Sequence, residues 1–253
     1  MKNKISVIIP VFNGEKYLER AFFSILHQSC KIDEVIIIND GSYDNSKKII
    51  LNWKNKLPIS YFENHKNMGV PYSLRKAIYL SKGDIIFRLD SDDEWKKEHV
   101  KNILILISKD KSAVLFASRA CYEFPLKRKK NFSKTLYDKT IRKDLMWDNP
   151  IVHSSVAFKK EDYFKTQGYM NYKVAHDYSL FIELLNIGKL SFSKKISVNY
   201  YVHHNSLSRI KIKESLKERF MNQWKALFLF KSQHKLFALK VLPILLIRTI
   251  LSK

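Results

Sequence analysis

The sequence has few cysteines and lacks the marks of a secreted chain. Its 253 residues contain only Cys30 and Cys121, without Cys-x-x-Cys spacing, so we expect neither a disulfide framework nor a cysteine metal site. Residues 1–4 lead directly into a strand-like run, which is not typical of a signal peptide. These features favour a reducing cytoplasm as the location.

Long apolar runs are also missing. The best candidate for a membrane span, residues 236–251, is interrupted by Lys240, Pro243 and Arg248, whereas a spanning helix needs about 20 predominantly apolar residues. We therefore do not predict a transmembrane protein. The hydrophobic share of 45% is typical of a packed globular chain, and the length suits one elaborated domain or two closely packed subdomains.

Acidic residues are few in comparison with basic ones. The chain has 24 Asp and Glu against 46 Lys and Arg, a net charge of +22. This excess favours polyanionic partners such as nucleic acid, anionic lipid or phosphorylated substrates. No helix-turn-helix, zinc-knuckle or aromatic RNA-binding signature is present, so a nucleic-acid-binding protein is an alternative that rests on charge alone.

The first hundred residues alternate strand-like and helix-like patterns. Four short apolar runs are predicted to be strands: residues 5–9, 35–38, 59–63 and 84–89. The first two are rich in β-branched residues and nearly continuous, as strands covered on both faces are. Helical spacing between the runs, with Pro71 in the first turn of a helix ending near Ser81, gives the order β-α-β-α-β-α-β. That order predicts a mostly parallel sheet.

The pattern becomes less regular after a predicted helix at residues 97–108. A basic stretch at residues 127–130 is followed by short mixed segments to about Arg209, which we interpret as a second subdomain. From Lys213 an amphipathic, strongly basic helical tail is predicted. The tail suits either docking on an anionic membrane surface or packing against the rest of the chain.

Polar residues follow each of the four predicted strands. The residues that follow the strands, in chain order, are PVFN (10–13), NDGS (39–42), Asn64 and NMG (67–69), and DSDD (90–93). In open parallel sheets, ligands bind beyond the carboxyl ends of the strands. We therefore expect all four ends to line one crevice.

Asp90 and Asp92 are the most informative pair in this set. Residues two apart in extended backbone point the same way, so both carboxylates can face one cation. Hard divalent ions prefer oxygen ligands, and Mg²⁺ or Mn²⁺ can neutralise the charge that develops on a diphosphate leaving group. The alternative is that residues 90–94 cap the helix that starts near Lys97. Asp40 also has two interpretations: it is a turn residue, or its carboxylate accepts a hydrogen bond from a nucleobase.

The four motifs resemble those of the family 2 inverting glycosyltransferases, which have the GT-A type nucleotide-binding fold. The matching segments, in order and spacing, are residues 7–13, 35–44, 67–69 and 89–93. The resemblance implies an α/β, Rossmann-like GT-A fold with a mostly parallel central sheet and a C-terminal helical tail. It divides the chain into a nucleotide-sugar-binding subdomain (1–108), an acceptor-binding and catalytic-base subdomain (109–212) and a basic amphipathic tail (213–253).

The resemblance also assigns roles to residues of the first segment. Asp40 is expected to contact the donor base, Asp92 to ligate the metal, and Asp90 to lie nearer the ribose and phosphates. Arg75 stands in a Leu-Arg pair where the family often has Arg-Asn or Leu-Asn. The full donor-binding set is Pro10, Phe12, Asn13, Asp40, Asn67, Arg75 and Asp90.

Weaker family matches lie in the second half, at residues 149–155, 176–177 and 201–209. Asp177 matches the general base, which takes the acceptor hydroxyl proton as the new bond forms. It could instead be the N-cap of an apolar helix over residues 178–185, or serve both roles. His176 replaces a Glu of the family, and if protonated it would lower the basicity of Asp177. His153 and His176 are placed on the acceptor side.

His203 matches a histidine that in relatives helps to hold the metal or diphosphate, and imidazole is an acceptable ligand for Mn²⁺. The implied enzyme is a hexosyl or N-acetylhexosaminyl transferase using Mn²⁺ or Mg²⁺ and a nucleotide-diphospho-sugar donor, with a uridine nucleotide favoured. Its acceptor would be a glycan or lipid-linked sugar at the inner face of a bacterial cytoplasmic membrane, and nucleic acid is not expected as a partner. A nucleotidyltransferase is the second alternative, but the chain lacks the Gly-rich amino-terminal loop that such enzymes have.

Overall fold

A computed structural model describes residues 3–124, 131–203 and 212–251. The basic stretch at residues 127–130 and the part of the family motif at residues 204–209 lie outside the described residues. Within them the chain forms a mixed nine-stranded sheet. Helices cover both of its faces, because alternate residues of the central strands enter two separate hydrophobic clusters.

The first half has the order that its sequence predicts. Strands β1 (Ile5–Val11), β2 (Glu34–Asn39), β3 (Ile59–Glu63) and β4 (Ile85–Arg88) alternate with helices α1 (Leu18–Leu26), α2 (Ser46–Trp53) and α3 (Val70–Leu80). All three strand pairs in the order β3-β2-β1-β4 are parallel. The predicted α/β fold with a mostly parallel centre is therefore confirmed, and Pro71 lies in the first turn of α3 as expected.

The second half extends the same sheet. Its elements are β5 (Glu94–Trp95), α4 (His99–Lys109), β6 (Ala113–Glu123), β7 (Asn131–Phe132), α5 (Asp138–Trp147), a 3₁₀ turn (His153–Ser155), β8 (Ala157–Lys159), α6 (Lys160–Tyr163), α7 (His176–Ile187) and β9 (Lys189–Tyr201). The sheet continues as β4-β8-β6-β9-β5, with β7 on β6. Strands from both sides of residue 108 share this one sheet. The division of the chain into two subdomains at that residue stays a prediction.

Two helices complete the described chain, α8 (Ile212–Phe230) and α9 (Lys235–Leu251). Both pack against the domain: Ala226, Leu227 and Phe230 of α8 and Val241 and Leu245 of α9 are buried in the cluster that contains α5 and α7. None of the helices in the described ranges combines the length and apolar character that crossing a bilayer requires.

Glycines allow two loops at the carboxyl end of the sheet to approach closely. Gly41 and Gly69 have φ angles of 73° and 90°, a region that side-chain-bearing residues rarely adopt. A Cβ at Gly41 would lie 2.7 Å from the backbone carbonyl carbon of Lys66. The loops after β2 and β3 therefore meet at the crevice only because residue 41 has no side chain.

Candidate active site

The loops after β1 and β2 are joined by reciprocal hydrogen bonds. The Asn13 N–H donates to Ser42 Oγ (2.9 Å), and the Tyr43 N–H donates to Asn13 Oδ1 (3.1 Å). Asn13 adopts a left-handed backbone with φ 52°, which Asn tolerates better than most residues. Phe12 and Tyr43 lie beside this junction with exposed rings 5.9 Å apart. The junction thus presents aromatic surface at the rim of the crevice.

Asp40 organises the next loop through its carboxylate. It accepts hydrogen bonds from Asn64 Nδ2 (2.7 Å), the Met68 N–H (2.9 Å) and the Gly69 N–H (2.9 Å). A carboxylate has about four acceptor positions, so this arrangement leaves capacity for one more donor. These contacts hold the loop after β3 rather than the turn at residues 39–42, where the Ser42 N–H donates to Asn39 Oδ1, and the role of Asp40 toward a nucleobase stays a prediction.

Three other predicted donor residues differ in exposure and contacts. Pro10 is buried within β1 opposite Ile38, whereas Asn67 is exposed and its Oδ1 accepts the Gly69 N–H at 3.0 Å. Arg75 reaches into the second half, where it donates to the carbonyl of Tyr169 and to Asn171 Oδ1, both at 2.6 Å. The structure therefore brings Asn67 to the crevice and shows Arg75 linking α3 to the segment before α7.

The acidic motif after β4 is held by neighbours on both sides. Asp90 accepts a hydrogen bond from the guanidinium of Arg88, and Ser154 Oγ lies 3.1 Å from its other oxygen. Asp93 is buried, contacts the Ser154 hydroxyl and accepts the Tyr201 N–H at 3.0 Å. Helix α4 begins at His99 with Glu98 before it. The interpretation of residues 90–94 as a helix cap is therefore wrong.

Asp92 and His203 face each other at the open end of this motif. Asp92 Oδ2 and His203 Nε2 are 3.9 Å apart, a separation that two ligands of one cation can have. His203 Nε2 is buried and has no hydrogen-bond partner among the described residues. Burial and the nearby Arg20 lower the pKa of His203, so its nitrogen lone pair is available at neutral pH.

The surroundings of Asp92 suit a cation in a second way. Burial, and next the charge of Asp90, raise the pKa of Asp92 to about 6, which a positive ion would reverse. Within the described ranges no group of three potential ligands converges, so Asp92 and His203 would supply two ligands and a bound diphosphate the rest. The Arg20 guanidinium donates to the Asp92 carbonyl and borders an adjacent pocket of about 380 Å³.

Asp177 is half-buried in the first turn of α7 and accepts a hydrogen bond from Asn149 Nδ2 (3.0 Å). Burial raises its pKa to about 7, and the charge of Asp90 adds to the rise. The residue before α7 is Ala175, and the helix starts at His176. The interpretation of Asp177 as the N-cap is therefore wrong, and its role as the general base stays a prediction.

The two histidines predicted to lie on the acceptor side, His153 and His176, are uncharged at neutral pH. Burial, and next Arg88, lower the pKa of His176 to about 4 and that of His153 well below its usual value. His153 Nε2 lies 2.8 Å from the Tyr169 hydroxyl. His176 therefore does not act as a cation beside Asp177, and the expected loss of basicity does not occur.

Arg88 is the main residue of the site that the sequence analysis missed. Its side chain is fully buried, and Nε and Nη1 have no hydrogen-bond partner within the described part of the chain. It lowers the pKa values of Asp92 and Asp177 against the effect of burial. One signal was available, a charged residue interrupting an apolar strand two positions before Asp90. Asn149 and Ser154 lie in the matched segment 149–155, but their contacts with Asp177 and Asp90 were not predicted, because these contacts join residues far apart in sequence.

Residues 6–168 match the family model described as Glycosyl transferase family 2. The chain belongs to this family. It is therefore a glycosyltransferase, and the nucleotidyltransferase and nucleic-acid-binding alternatives are set aside.

Two curated relatives cover most of the chain. The amylovoran biosynthesis glycosyltransferase AmsE of Erwinia amylovora is 24% identical over 95% of this chain and 97% of its own length. The Escherichia coli UDP-Gal:alpha-D-GlcNAc-diphosphoundecaprenol beta-1,3-galactosyltransferase is 30% identical over 73% of this chain and 69% of its own length.

Solved structures show the same GT-A fold. S. aureus TarS residues 1–349 in complex with UDP-GlcNAc has a TM-score of 0.72 at 17% identity, covering 90% of this chain and 71% of that one. The mannosyltransferase PcManGT of Pyrobaculum calidifontis, in complex with GDP-Man and Mn²⁺, has a TM-score of 0.69 at 16% identity, covering all of this chain and 76% of that one. In another TarS structure the chain spans 65% of the solved protein.

The Arg88–Asp90 contact predicts a measurable coupling. Replacing Arg88 with Met removes the buried positive charge from a cluster of carboxylates, and we expect a loss of about 1–3 kcal/mol in the free energy of unfolding. Because the Asp90 side chain is 31% exposed, the value falls below that of a fully buried pair.

The measurement is urea denaturation of R88M, D90N and the double variant, with R88K as the charge-retaining control. We expect R88M to be rescued in part by D90N, with a coupling of about 1 kcal/mol. Strictly additive effects would contradict an electrostatic role for Arg88.

Proposed function

We propose that this glycosyltransferase moves a sugar from a uridine diphosphate donor to a glycan or lipid-linked acceptor, with inversion, by a single displacement. The observation that carries the proposal is the state of the Asp177 carboxylate. It is half-buried, its pKa is raised to about 7, and the negative charge of Asp90 contributes to that rise. A base poised near neutral pH beside the strand ends suits deprotonation of an acceptor hydroxyl.

In this mechanism the residues act on both reactants. Asp177 accepts the proton of the acceptor hydroxyl while that oxygen bonds to the anomeric carbon and the bond from this carbon to the diphosphate breaks. Asn149 holds the carboxylate in place through its amide. His153 and His176, both uncharged, line the acceptor side without competing for the proton.

The donor is proposed to lie across the strand ends. Asp40 retains an acceptor position for a base N–H, Phe12 and Asn13 border that pocket, and Asn67 and Arg75 complete the donor side. Support for a uridine nucleotide comes from the relative named for UDP-Gal and from TarS solved with UDP-GlcNAc. The PcManGT complex with GDP-Man makes a guanosine nucleotide the natural comparison in a donor screen.

A divalent cation, Mn²⁺ or Mg²⁺, is proposed to be held by Asp92 and His203, with Asp90 nearer the ribose and phosphates. It would neutralise the charge that develops on the leaving diphosphate. Support comes from the unpartnered His203 Nε2, its 3.9 Å separation from Asp92 Oδ2 and the Mn²⁺ in the PcManGT structure.

The acceptor and the location are proposed together. The relative named for a diphosphoundecaprenol acceptor uses a lipid-linked sugar, and α8 and α9 expose Phe228, Leu236 and Leu239 beside several lysines. Apolar side chains interspersed with cations suit an anionic bilayer surface. We therefore propose peripheral binding at the inner face of a bacterial cytoplasmic membrane, in the assembly of a surface glycan.

Activity should depend on pH through Asp177. The carboxylate must be deprotonated, and its pKa is raised to about 7, so kcat should fall as pH decreases below about 7 and reach a plateau above it. Transfer and slow hydrolysis are measured with a panel of UDP-sugars and GDP-mannose in Mn²⁺.

Asp177→Asn should lower kcat about 10²–10⁴-fold and leave the Kd for UDP unchanged. Glu161→Gln, an exposed carboxylate on α6, is the matched control. If Asp177→Asn kept more than a tenth of the wild-type kcat, Asp177 would not be the base.

Asp92→Asn should weaken metal-dependent nucleotide binding. By calorimetry with UDP and Mn²⁺ we expect at least a tenfold rise in Kd, about 1.4 kcal/mol, because one cation ligand is lost. With EDTA in place of Mn²⁺, the wild-type protein and the variant should bind UDP equally weakly. Equal affinities in Mn²⁺ would remove Asp92 from the metal site.

Membrane binding is checked by co-sedimentation with phosphatidylglycerol vesicles and with phosphatidylcholine vesicles as the neutral comparison. The wild-type protein should bind the anionic vesicles, less tightly at high salt. Replacing Phe228, Leu236 and Leu239 with Ser should reduce binding, whereas replacing exposed Tyr79 on α3 with Ser should not. Equal binding to both vesicle types would contradict the electrostatic part of the proposal.

A further inference from the structure

Helix α8 contacts two chain segments that lead to Asp177 or to its hydrogen-bond partner Asn149. One is residues 173–175, which lead directly into α7. The other is residues 147–149, which end with the Asn149 amide that donates to the Asp177 carboxylate. The contacts of α8 with the first segment join residues 43–47 positions apart and those with the second join residues 71–76 positions apart, so only the tertiary fold brings this helix to the site.

The strongest contact is made by Glu218. Its carboxylate accepts three consecutive backbone N–H groups, from Lys173 (2.7 Å), Val174 (2.8 Å) and Ala175 (3.0 Å). Successive N–H groups that converge in this way bind anions, and a negative charge is favourable at a helix N-terminus. Ala175, the N-cap residue of α7, has no side-chain group that could accept a hydrogen bond from these N–H groups. Glu218 therefore supplies a second carboxylate at the start of α7, in addition to Asp177, from a separate helix.

Neighbouring residues of α8 add to this contact. Asn222, fully buried one turn later, donates from Nδ2 to the Ala175 carbonyl (2.9 Å). Arg219 pairs with Asp148 at 2.6 Å, and the Gln223 amide donates to the Trp147 carbonyl. Positions 218, 219, 222 and 223 lie on one face of a helix. That face thus holds the residue before α7 and the residues before Asn149 at the same time.

We infer that Glu218 is a positioning residue for the base, holding the first turn of α7 so that the Asp177 carboxylate stays aligned with the acceptor hydroxyl. This inference rests on the proposed role of Asp177. Asp177 lies two residues after Ala175, so a change in the path of residues 173–175 moves its carboxylate directly. A displacement of about 1 Å in a reacting group can lower a rate about 10²-fold.

The test compares Glu218→Gln with Glu214→Gln, which makes the same charge change at an exposed position one turn earlier on α8. Four quantities are measured on the full chain: kcat, the KM for the nucleotide sugar, the Kd for UDP with Mn²⁺, and hydrogen exchange at the amides of residues 173–175. For E218Q we expect kcat to fall at least tenfold, KM and Kd to stay within twofold, and exchange at those amides to accelerate at least tenfold. E214Q should leave all four unchanged.

Other results would overturn the inference. E218Q with wild-type kcat and accelerated exchange would show that the base does not depend on this contact. A matching loss of UDP affinity and of thermal stability would show general destabilisation rather than positioning. If E218Q does not fold, Glu218→Asp, which keeps the charge on a shorter side chain, gives the same comparison. A wild-type protein without transfer from any donor would instead refute the proposed function, and with it the base that Glu218 positions.

Discussion

Repulsion between carboxylates is the constraint on which this site depends. Asp90, Asp92 and Asp93 occupy four consecutive positions with Ser91, and each raises the pKa of a neighbour or has its own raised. The fold offsets this repulsion with the buried Arg88 guanidinium and with hydrogen bonds to Asp93 from opposite sides. The remaining charge lies at Asp92, the proposed position of the cation, whose binding there would relieve a repulsion built into the folded chain.

The nucleotide side of the crevice is organised by hydrogen bonds rather than by charge. Asp40 draws the loop after β3 toward the loop after β2, and Asn13 and Ser42 join the loops after β1 and β2. Gly41 permits the close approach that these bonds need. Because the loops are already fixed by contacts with one another, a donor would bind without the entropic cost of ordering them.

The sequence predicts the first hundred residues well because each strand there is a short buried run and each crossover follows helical spacing. It also predicts where Asp40, Asp90 and Asp92 lie, since a parallel sheet brings strand ends to one edge. It does not predict β6 and β9, long strands that pair with each other in an otherwise irregular region, nor the partner of Asp90. Arg88 and Ser154 act through the tertiary fold, and local sequence spacing carries no signal for contacts of that kind.

The helical tail had two interpretations, of which the structure shows packing against the domain, while docking on a membrane stays a proposal. Its apolar periodicity arises because Ala226, Leu227 and Phe230 are buried against α5 and α7, which is the packing interpretation. Exposed Phe228 and Leu236 remain on other faces, and these carry the membrane proposal. Glu218 reaches the start of α7 from the same helix that carries Phe228, so a membrane bound at Phe228 would contact the helix that we propose positions Asp177. Docking and base alignment would then be physically connected through α8.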